Sequence, residues 1–304
     1  MATDIVSLVL GSPDGQDLPG FSAGSHIDVE IKPGLVRQYS LCNSPEDRDR
    51  YEIAVLRDPA SRGGSVALHE TLHAGVRVRV SEPRNHFPIV PSKAKAILLG
   101  GGIGVTPLLC MAERLALVGE AFELHYCTRS PDRTAFRDRV AASAYADSVH
   151  FHFDDGALEQ KLDIAALFAA RDPESHVYIC GPAGFIDWIF AAAEKAGVPA
   201  NRLHREYFSA APSVPIEGGE RAFEVQIAST GAVFPVAADQ SVAKVLADHG
   251  FPIAISCEQG VCGTCITRVM SGDPDHRDML GLDGNYEFTP CCSRSFSDRL
   301  VLDL

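Results

Sequence analysis

Cys257, Cys262 and Cys265 form a C-x4-C-x2-C run, and Cys291 and Cys292 follow at a distance. A plant-type 2Fe–2S cluster is held by this spacing, because its irons need thiolates that converge on a compact core. Three cysteines from one tight loop and one from elsewhere meet that need. Gly260 and Gly263 stand between the ligands, where a missing side chain lets backbone N–H groups approach the cluster sulfides. Cys291 and Cys292 are neighbours that point in different directions, so one of them supplies the fourth thiolate. A zinc ribbon is the bland alternative, but it shows two C-x2-C pairs and this segment has one.

A one-electron centre rarely stands alone, and two further motifs bear on where its electrons come from. Gly100 to Pro107, GGGIGVTP, links the apolar run AKAILLG to a helical pattern. Glycines such as Gly101, Gly102 and Gly104 let the backbone approach a bulky anion, and the helix N-terminus offers N–H groups to a pyrophosphate. Pro107 suits the first helical turn. The run departs from G-x-G-x-x-G, with Pro107 in place of the last glycine, and alone it is weak evidence. Cys180-Gly181-Pro182 ends a later strand, so two loops would close over one crevice at the strand C-termini, where nucleotides bind. The other motif is Arg37-Gln38-Tyr39-Ser40, followed by Arg62-Gly63-Gly64-Ser65. Tyr39 can stack on a flat heteroaromatic ring and Ser40 can hydrogen-bond to it, while a Gly-Gly-Ser turn beside an arginine suits a phosphate. Read singly, each is also a strand end or a loop.

Two matches carry no chemistry. His69 to His73 fits H-E-x-x-H, the zinc-protease helix, but Gly75 ends that helix early and a strand pattern, VRVRVS, follows at once. With no third ligand at the usual remove, it reads as a solvated helix face. Asp275-His276-Arg277-Asp278 is similar to a kinase catalytic loop, yet the glycine-rich and lysine elements of a kinase are missing. No convincing catalytic triad is present.

The elements that must position these residues fall into blocks. Residues 1–91 read as short strands broken by Gly and Pro, which suggests a small antiparallel barrel. Residues 92–208 alternate strand and helix patterns, the sign of a doubly wound parallel sheet. Residues 209–222, which open with SAAPSVPIEGGER, read as a linker. In 223–304, FEVQIAS and AVFPV suggest a hairpin and SVAKVLADHG a helix, ahead of the cysteine loop.

Composition narrows the class. A hydrophobic fraction of 46% and a charged fraction of 22% suit a soluble globular protein. The net charge of −13 argues against a nucleic-acid binder, which needs a basic surface, and permits docking on a basic patch of a protein partner. Neither a membrane span nor a signal peptide is expected, and a cytoplasmic location follows. Nine cysteines, an odd number, do not suggest a disulfide framework without an export signal.

Taken in order, RQYSLCN, RGGS, GGGIGVTP, CGP, REYF and the cysteine run resemble the phthalate dioxygenase reductase family, electron-transfer components of Rieske oxygenases that include vanillate demethylases. The resemblance spans essentially the whole chain and is especially close in ISCEQGVCGTC, PDHRDM and the ending CCSRS…LVLDL. It implies a flavin-binding antiparallel β-barrel, a doubly wound nucleotide domain and a C-terminal β-grasp-like ferredoxin domain. The flavin would be FMN, its ring held by Arg37, Tyr39 and Ser40, with Ser40 near the reactive edge. Arg62, Gly63, Gly64 and Ser65 would hold its phosphate. Thr106 and the Cys180-Gly181-Pro182 turn would frame the nicotinamide of NADH, which puts Ser40, Thr106 and Cys180 at the reacting centre. Phe208 would cover the flavin face. Cys257, Cys262, Cys265 and Cys291 would ligate the cluster, since CCSR matches the family at its first cysteine.

Two departures bear on these expectations. The family carries another strand before the segment that begins here at Met1, which predicts an incomplete barrel. The 25 residues between Cys265 and Cys291 are also slightly fewer than the family has. A flavin stands between NADH, which gives two electrons at once, and a cluster that accepts one. A monomer docking transiently on a terminal Rieske oxygenase through its ferredoxin domain is expected, with no nucleic-acid or membrane partner. The alternatives are a reductase for a haem-thiolate monooxygenase and a flavin and iron–sulfur redox sensor.

Overall fold

The computed structural model describes residues 1–304 apart from 59–62, 209–220 and 283–285. Most of the expected linker and Arg62 lie outside the described residues. The chain divides into two compact units, Met1–Phe208 and Ser209–Leu304. None of the described helices is long and apolar enough to cross a membrane.

The first unit opens with β1 (Ile5–Gly11), β2 (Ser25–Lys32), β3 (Leu35–Ser40) and β4 (Arg50–Leu56). Helix α1 (Gly64–Thr71) and two short strands, β5 (Arg79–Val80) and β6 (Arg84–Asn85), follow. Ile27, Val29 and Ile31, at alternate positions of β2, enter one core with Leu41, Tyr51, Ile53 and Leu68, as the period of a strand requires. β2 pairs antiparallel with β3 and with both short strands, while β1 pairs antiparallel with β4. One isolated bridge, Leu41 to Ile53, links the two groups. The staves therefore wrap a common core, but among the described residues they do not close into a hydrogen-bonded ring.

The alternating segment gives β7 (Ala96–Gly101), α2 (Val105–Val118), β8 (Phe122–Thr128), α3 (Arg137–Ala141) and β9 (Val149–Phe153). It continues with α4 (Ile164–Ala170), β10 (Val177–Gly181), α5 (Ala183–Lys195) and β11 (Leu203–Tyr207). The strands form one parallel sheet in the order β11-β10-β7-β8-β9. Every residue of β7 is buried, as expected for a central parallel strand covered on both faces. The chain leaves β7 for β8 on one side and returns on its other side at β10, so a switch point and its crevice lie at the ends of these strands.

Both halves of this unit contribute to one core. Ala23, Cys42, Ala54 and Phe87 pack in the same cluster as Leu98, Leu108, Tyr126 and Tyr178. Phe87 meets Tyr178 edge-on at 5.9 Å, and the Val90 N–H donates to the Tyr178 hydroxyl at 2.8 Å. Arg139 donates to the Cys42 carbonyl (2.7 Å), to Glu52 (3.1 Å) and to Glu113 (3.2 Å). Burial and charge-assisted bonds thus fasten the strand-rich half to the parallel sheet.

The second unit contains β12 (Phe223–Ile227), β13 (Val233–Val236), α6 (Val242–Asp248) and β14 (Thr267–Ser271). β15 (Pro274–Asp275), β16 (Glu287–Phe288), β17 (Arg294–Ser295) and β18 (Arg299–Leu302) complete it. β12 and β13 form the expected antiparallel hairpin, and the terminal β18 inserts parallel to β12 in the order β13-β12-β18-β14-β16. Ser241 caps α6 by accepting from the Lys244 N–H (3.3 Å). The helix lays Val242, Val245 and Leu246 on Val225, Ile227, Leu300 and Leu302, the β-grasp arrangement.

Candidate functional site

In the second unit the cysteine loop is bent by left-handed backbone at Glu258 (φ 56°), Gly260 (φ 69°) and Gly263 (φ 68°). Its three thiols are buried. The sulfurs of Cys265 and Cys291 lie 3.2 Å apart, the Gln259 N–H donates to Cys257 Sγ (3.3 Å), and the Cys262 thiol donates to the Thr264 hydroxyl (3.2 Å). Hydrogen bonds from Cys262 and Cys291 hold the Cys257 thiol well below its ordinary value, so the four sulfurs act as one linked group. Cys292 also packs on the loop: its thiol hydrogen-bonds to Cys291 and its sulfur lies 3.4 Å from the Thr289 hydroxyl. The donor set around Cys257, Cys262, Cys265 and Cys291 fits a 2Fe–2S cluster.

Gly260 has a second reason to be glycine. A Cβ there would stand 2.6 Å from Cys292 Sγ and 2.7 Å from Asp278. Asp278 belongs to the kinase-like tetrapeptide, whose work here is bracing. Its carboxylate accepts from the Leu280 N–H (3.0 Å) and the Thr289 hydroxyl (3.1 Å), while the Met279 N–H donates to the Gly260 carbonyl (2.9 Å). Arg277 pairs with Asp275 at 2.6 Å.

In the first unit a cleft of about 1000 Å³ opens at the C-terminal ends of the parallel strands, a size suited to a cofactor-sized ligand. Gly101, Gly102, Arg129, Asp154, Pro182 and Trp188 line it, and Leu56, Arg57 and Asp58 reach it from the strand-rich half. Gly102 (φ 55°) has nothing within 4 Å of where a Cβ would lie. Gly104 differs. A Cβ there would meet the Cys180 carbonyl at 2.4 Å, so this glycine lets the two loops touch. Thr106 is buried, and its hydroxyl donates to the Ile103 carbonyl at 3.1 Å. Of the residues expected at the crevice, Gly101, Gly102 and Pro182 line the cleft; Gly104, Thr106, Cys180 and Gly181 form the packed turn behind it.

Where β3 ends, the Ser40 hydroxyl donates to Glu206 Oε2 (3.2 Å), and Glu206 is the register partner of Cys180 on the neighbouring strand. Burial pushes the Glu206 carboxyl up to about 7, against the hydrogen bond from Ser40. Burial, and then the charge of Glu206, raise Cys180 well above the ordinary thiol range. Cys180 therefore stays a neutral thiol at pH 7 and is no nucleophile. Glu206, a residue that the sequence reading did not single out, sits in the REYF segment; its meaning depends on a strand register that no local pattern announces.

The ring and phosphate motifs also meet. A Cβ on Gly64 would lie 2.7 Å from Arg37 Cγ and Nε, so Arg37 lies along the N-terminus of α1, whose N-cap is Gly63 (φ 79°). Ser65 Oγ accepts from the Asp58 N–H (3.1 Å) and donates to its carbonyl (3.3 Å), which ties Asp58 to the first turn of α1. Tyr39 is half-buried and burial raises its phenol, which stays neutral. Phe208 is exposed just beyond β11. This cradle of arginine, glycines and a helix start fits a phosphate. His69 Nε2 donates to the Val55 carbonyl (2.9 Å) and His73 lies past the end of α1, so the H-E-x-x-H match has a structural use.

A nucleotide-type crevice and a four-thiol loop in one chain define a modular iron–sulfur oxidoreductase. Residues 225–295 match the family model of the 2Fe–2S iron–sulfur cluster binding domain. The chain is 53% identical over 308 residues to a vanillate O-demethylase oxidoreductase of Pseudomonas putida, covering all of this chain and 96% of that protein. A phthalate dioxygenase reductase of Burkholderia cepacia is 39% identical, with coverage of 100% and 94%. Among solved structures, phthalate dioxygenase reductase, described as a modular structure for electron transfer from pyridine nucleotides to [2Fe–2S], matches with TM-score 0.73 at 38% identity, over all of this chain and 94% of that one. An intact type IV self-sufficient cytochrome P-450 monooxygenase matches with TM-score 0.88 at 38% identity, over all of this chain but 39% of that one. The chain belongs to the phthalate dioxygenase reductase family of oxidoreductases.

Proposed function

We propose that this protein is the NADH-dependent reductase component of a Rieske-type aromatic oxygenase or demethylase, with FMN and a 2Fe–2S cluster as its cofactors. The observation that carries the reading is the pairing, in one chain, of the strand-end cleft lined by Gly101, Gly102 and Pro182 with the convergent cysteine loop. Its relatives' names, a vanillate demethylase oxidoreductase and a phthalate dioxygenase reductase, support the oxygenase partner.

Arg37, Gly63, Gly64 and Ser65 would bind the FMN phosphate together with Arg62, and Tyr39 and Ser40 would orient the ring. Gly101, Gly102 and Pro182 would admit the coenzyme to the cleft, while Gly104, Thr106, Cys180 and Gly181 hold the two loops in place behind it. Phe208 would shield the ring. The flavin, when bound, takes a pair of electrons from NADH and passes them on singly. The chain's own residues supply position: Arg57, Arg129, Arg133 and Lys161 line the cleft with positive charge suited to the coenzyme's phosphates, while the buried Cys180 and its register partner Glu206 brace the turn behind it. Cys257, Cys262, Cys265 and Cys291 would hold the cluster, and the monomer would dock transiently through this unit on the oxygenase.

Cys262→Ser tests the division of labour. It should abolish electron delivery to the oxygenase and leave NADH–ferricyanide turnover in place. Equal loss of both activities would overturn the reading. A second partner class, a haem-thiolate monooxygenase, is favoured by the match to the self-sufficient enzyme; reconstitution with each candidate partner decides between them.

A further inference from the structure

The parallel sheet carries ligand-type side chains that electron transfer leaves unused. Glu123 and His125 are two apart on β8, so both face the same side, and His150 on β9 is the register partner of His125. One ligand atom from each of the three lies within 4.8 Å of the others. The rings of His125 and His150 are 4.9 Å apart, and His125 Nε2 is 3.9 Å from Glu123 Oε2.

His125 is only 8% exposed, and its buried Nε2 makes no hydrogen bond. Its other nitrogen, Nδ1, lies 2.9 Å from His152 Nε2. Metal-bound histidines are oriented in this way, one nitrogen held by an outer hydrogen bond and the other turned to the ion. If Nδ1 donates to His152, Nε2 presents a lone pair toward a carboxylate oxygen, across a gap that a cation would bridge. The facing oxygen, Glu123 Oε2, is also held by Lys95 Nζ at 2.6 Å, so an incoming ion displaces the ammonium from that oxygen or takes Oε1 of the same carboxylate. His150 is exposed, so the site can be reached from solvent.

We propose that Glu123, His125 and His150 bind a divalent transition-metal ion of the Zn2+ type, with a fourth position open to water. Two imidazoles and one carboxylate suit such an ion better than Ca2+ or Mg2+, which take oxygen ligands. His152, which holds His125, also lines the coenzyme cleft, so one side chain joins the two sites.

The test is calorimetric titration of Zn2+ into the purified holoprotein, alongside His150→Ala and Glu123→Gln, with iron content and NADH–ferricyanide turnover measured in each. The wild type should bind one Zn2+ per chain, and each variant should bind at least tenfold more weakly while keeping its iron and its turnover. His150 is exposed, so its replacement makes no demand on folding. Absence of saturable binding to the wild type would overturn the proposal. So would equal affinity in all three proteins, which would place the ion away from Glu123 and His150.

Discussion

Glu206 becomes a chemical residue because β11 sets it beside Cys180 and under Ser40. Its carboxyl, raised from about 4.5 to about 7 by burial, keeps its proton longer in the folded state than in the unfolded one. The folded state therefore gains its full advantage below the unfolded value and loses it as pH rises through about 7, a swing of about 3–4 kcal/mol at most. Glu206→Gln should flatten that slope. Urea unfolding at pH 5 and pH 7.5, followed through Trp188, the only tryptophan in the chain, reads this unit directly. Parallel pH dependence in the two proteins would show that Glu206 titrates normally. The glycines of the neighbouring turn separate just as sharply. Gly104→Ala drives a methyl into the Cys180 carbonyl and should cost about 2 kcal/mol or more while raising KM for NADH. Gly102→Ala meets no atom and should cost only about 1 kcal/mol, for its left-handed backbone. Equal midpoints for the two alanine variants would contradict the close contact.

At the scale of elements, the segment between Cys265 and Cys291 carries the fourth cysteine to the loop that holds the other three. Asp278 and Thr289 brace it, and Asp278 also packs on Gly260. Asp278→Ala leaves the Leu280 N–H without its acceptor, at a cost of about 1–3 kcal/mol, and the Thr289 hydroxyl with only Ser293 and Cys292 as partners. The variant should lose iron on dilution several times faster than the wild type while NADH–ferricyanide turnover persists. Unchanged iron retention would mean that the brace is dispensable. The cysteine spacing was legible in the sequence because three of the thiolates come from one short loop, whose local geometry the spacing encodes. The strand and helix periods announced β7, α2 and the hairpin of β12 and β13 for the same local reason. Closure of the first strands was not legible, since it depends on which edges hydrogen-bond across the core. The register that pairs Cys180 with Glu206 was hidden likewise, and so was the contact that makes Gly260 a glycine.

The chain divides into two compact units. Among the described residues, the clusters around Leu98 and Ile27 draw only on residues before 209, and the cluster around Val225 only on residues after 220. The strand-rich half and the parallel sheet, in contrast, share Phe87, Tyr178 and the Arg139 bonds, so a cut near residue 91 would open a core. A cut at 208 leaves the clusters around Leu98 and Ile27 whole. Residues 1–208 produced alone should therefore fold, retain FMN and reduce ferricyanide with NADH, yet deliver nothing to the oxygenase. Their thermal midpoint should move by less than about 4 °C, the change that 1 kcal/mol makes in a unit of this size. Residues 1–91 produced alone should stay unfolded, because Ala23, Cys42, Ala54 and Phe87 would lose the sheet that covers them. An insoluble or flavin-free 1–208 fragment would show that the iron–sulfur unit contributes to the first unit's stability, and a folded 1–91 fragment would show that the shared core is not needed.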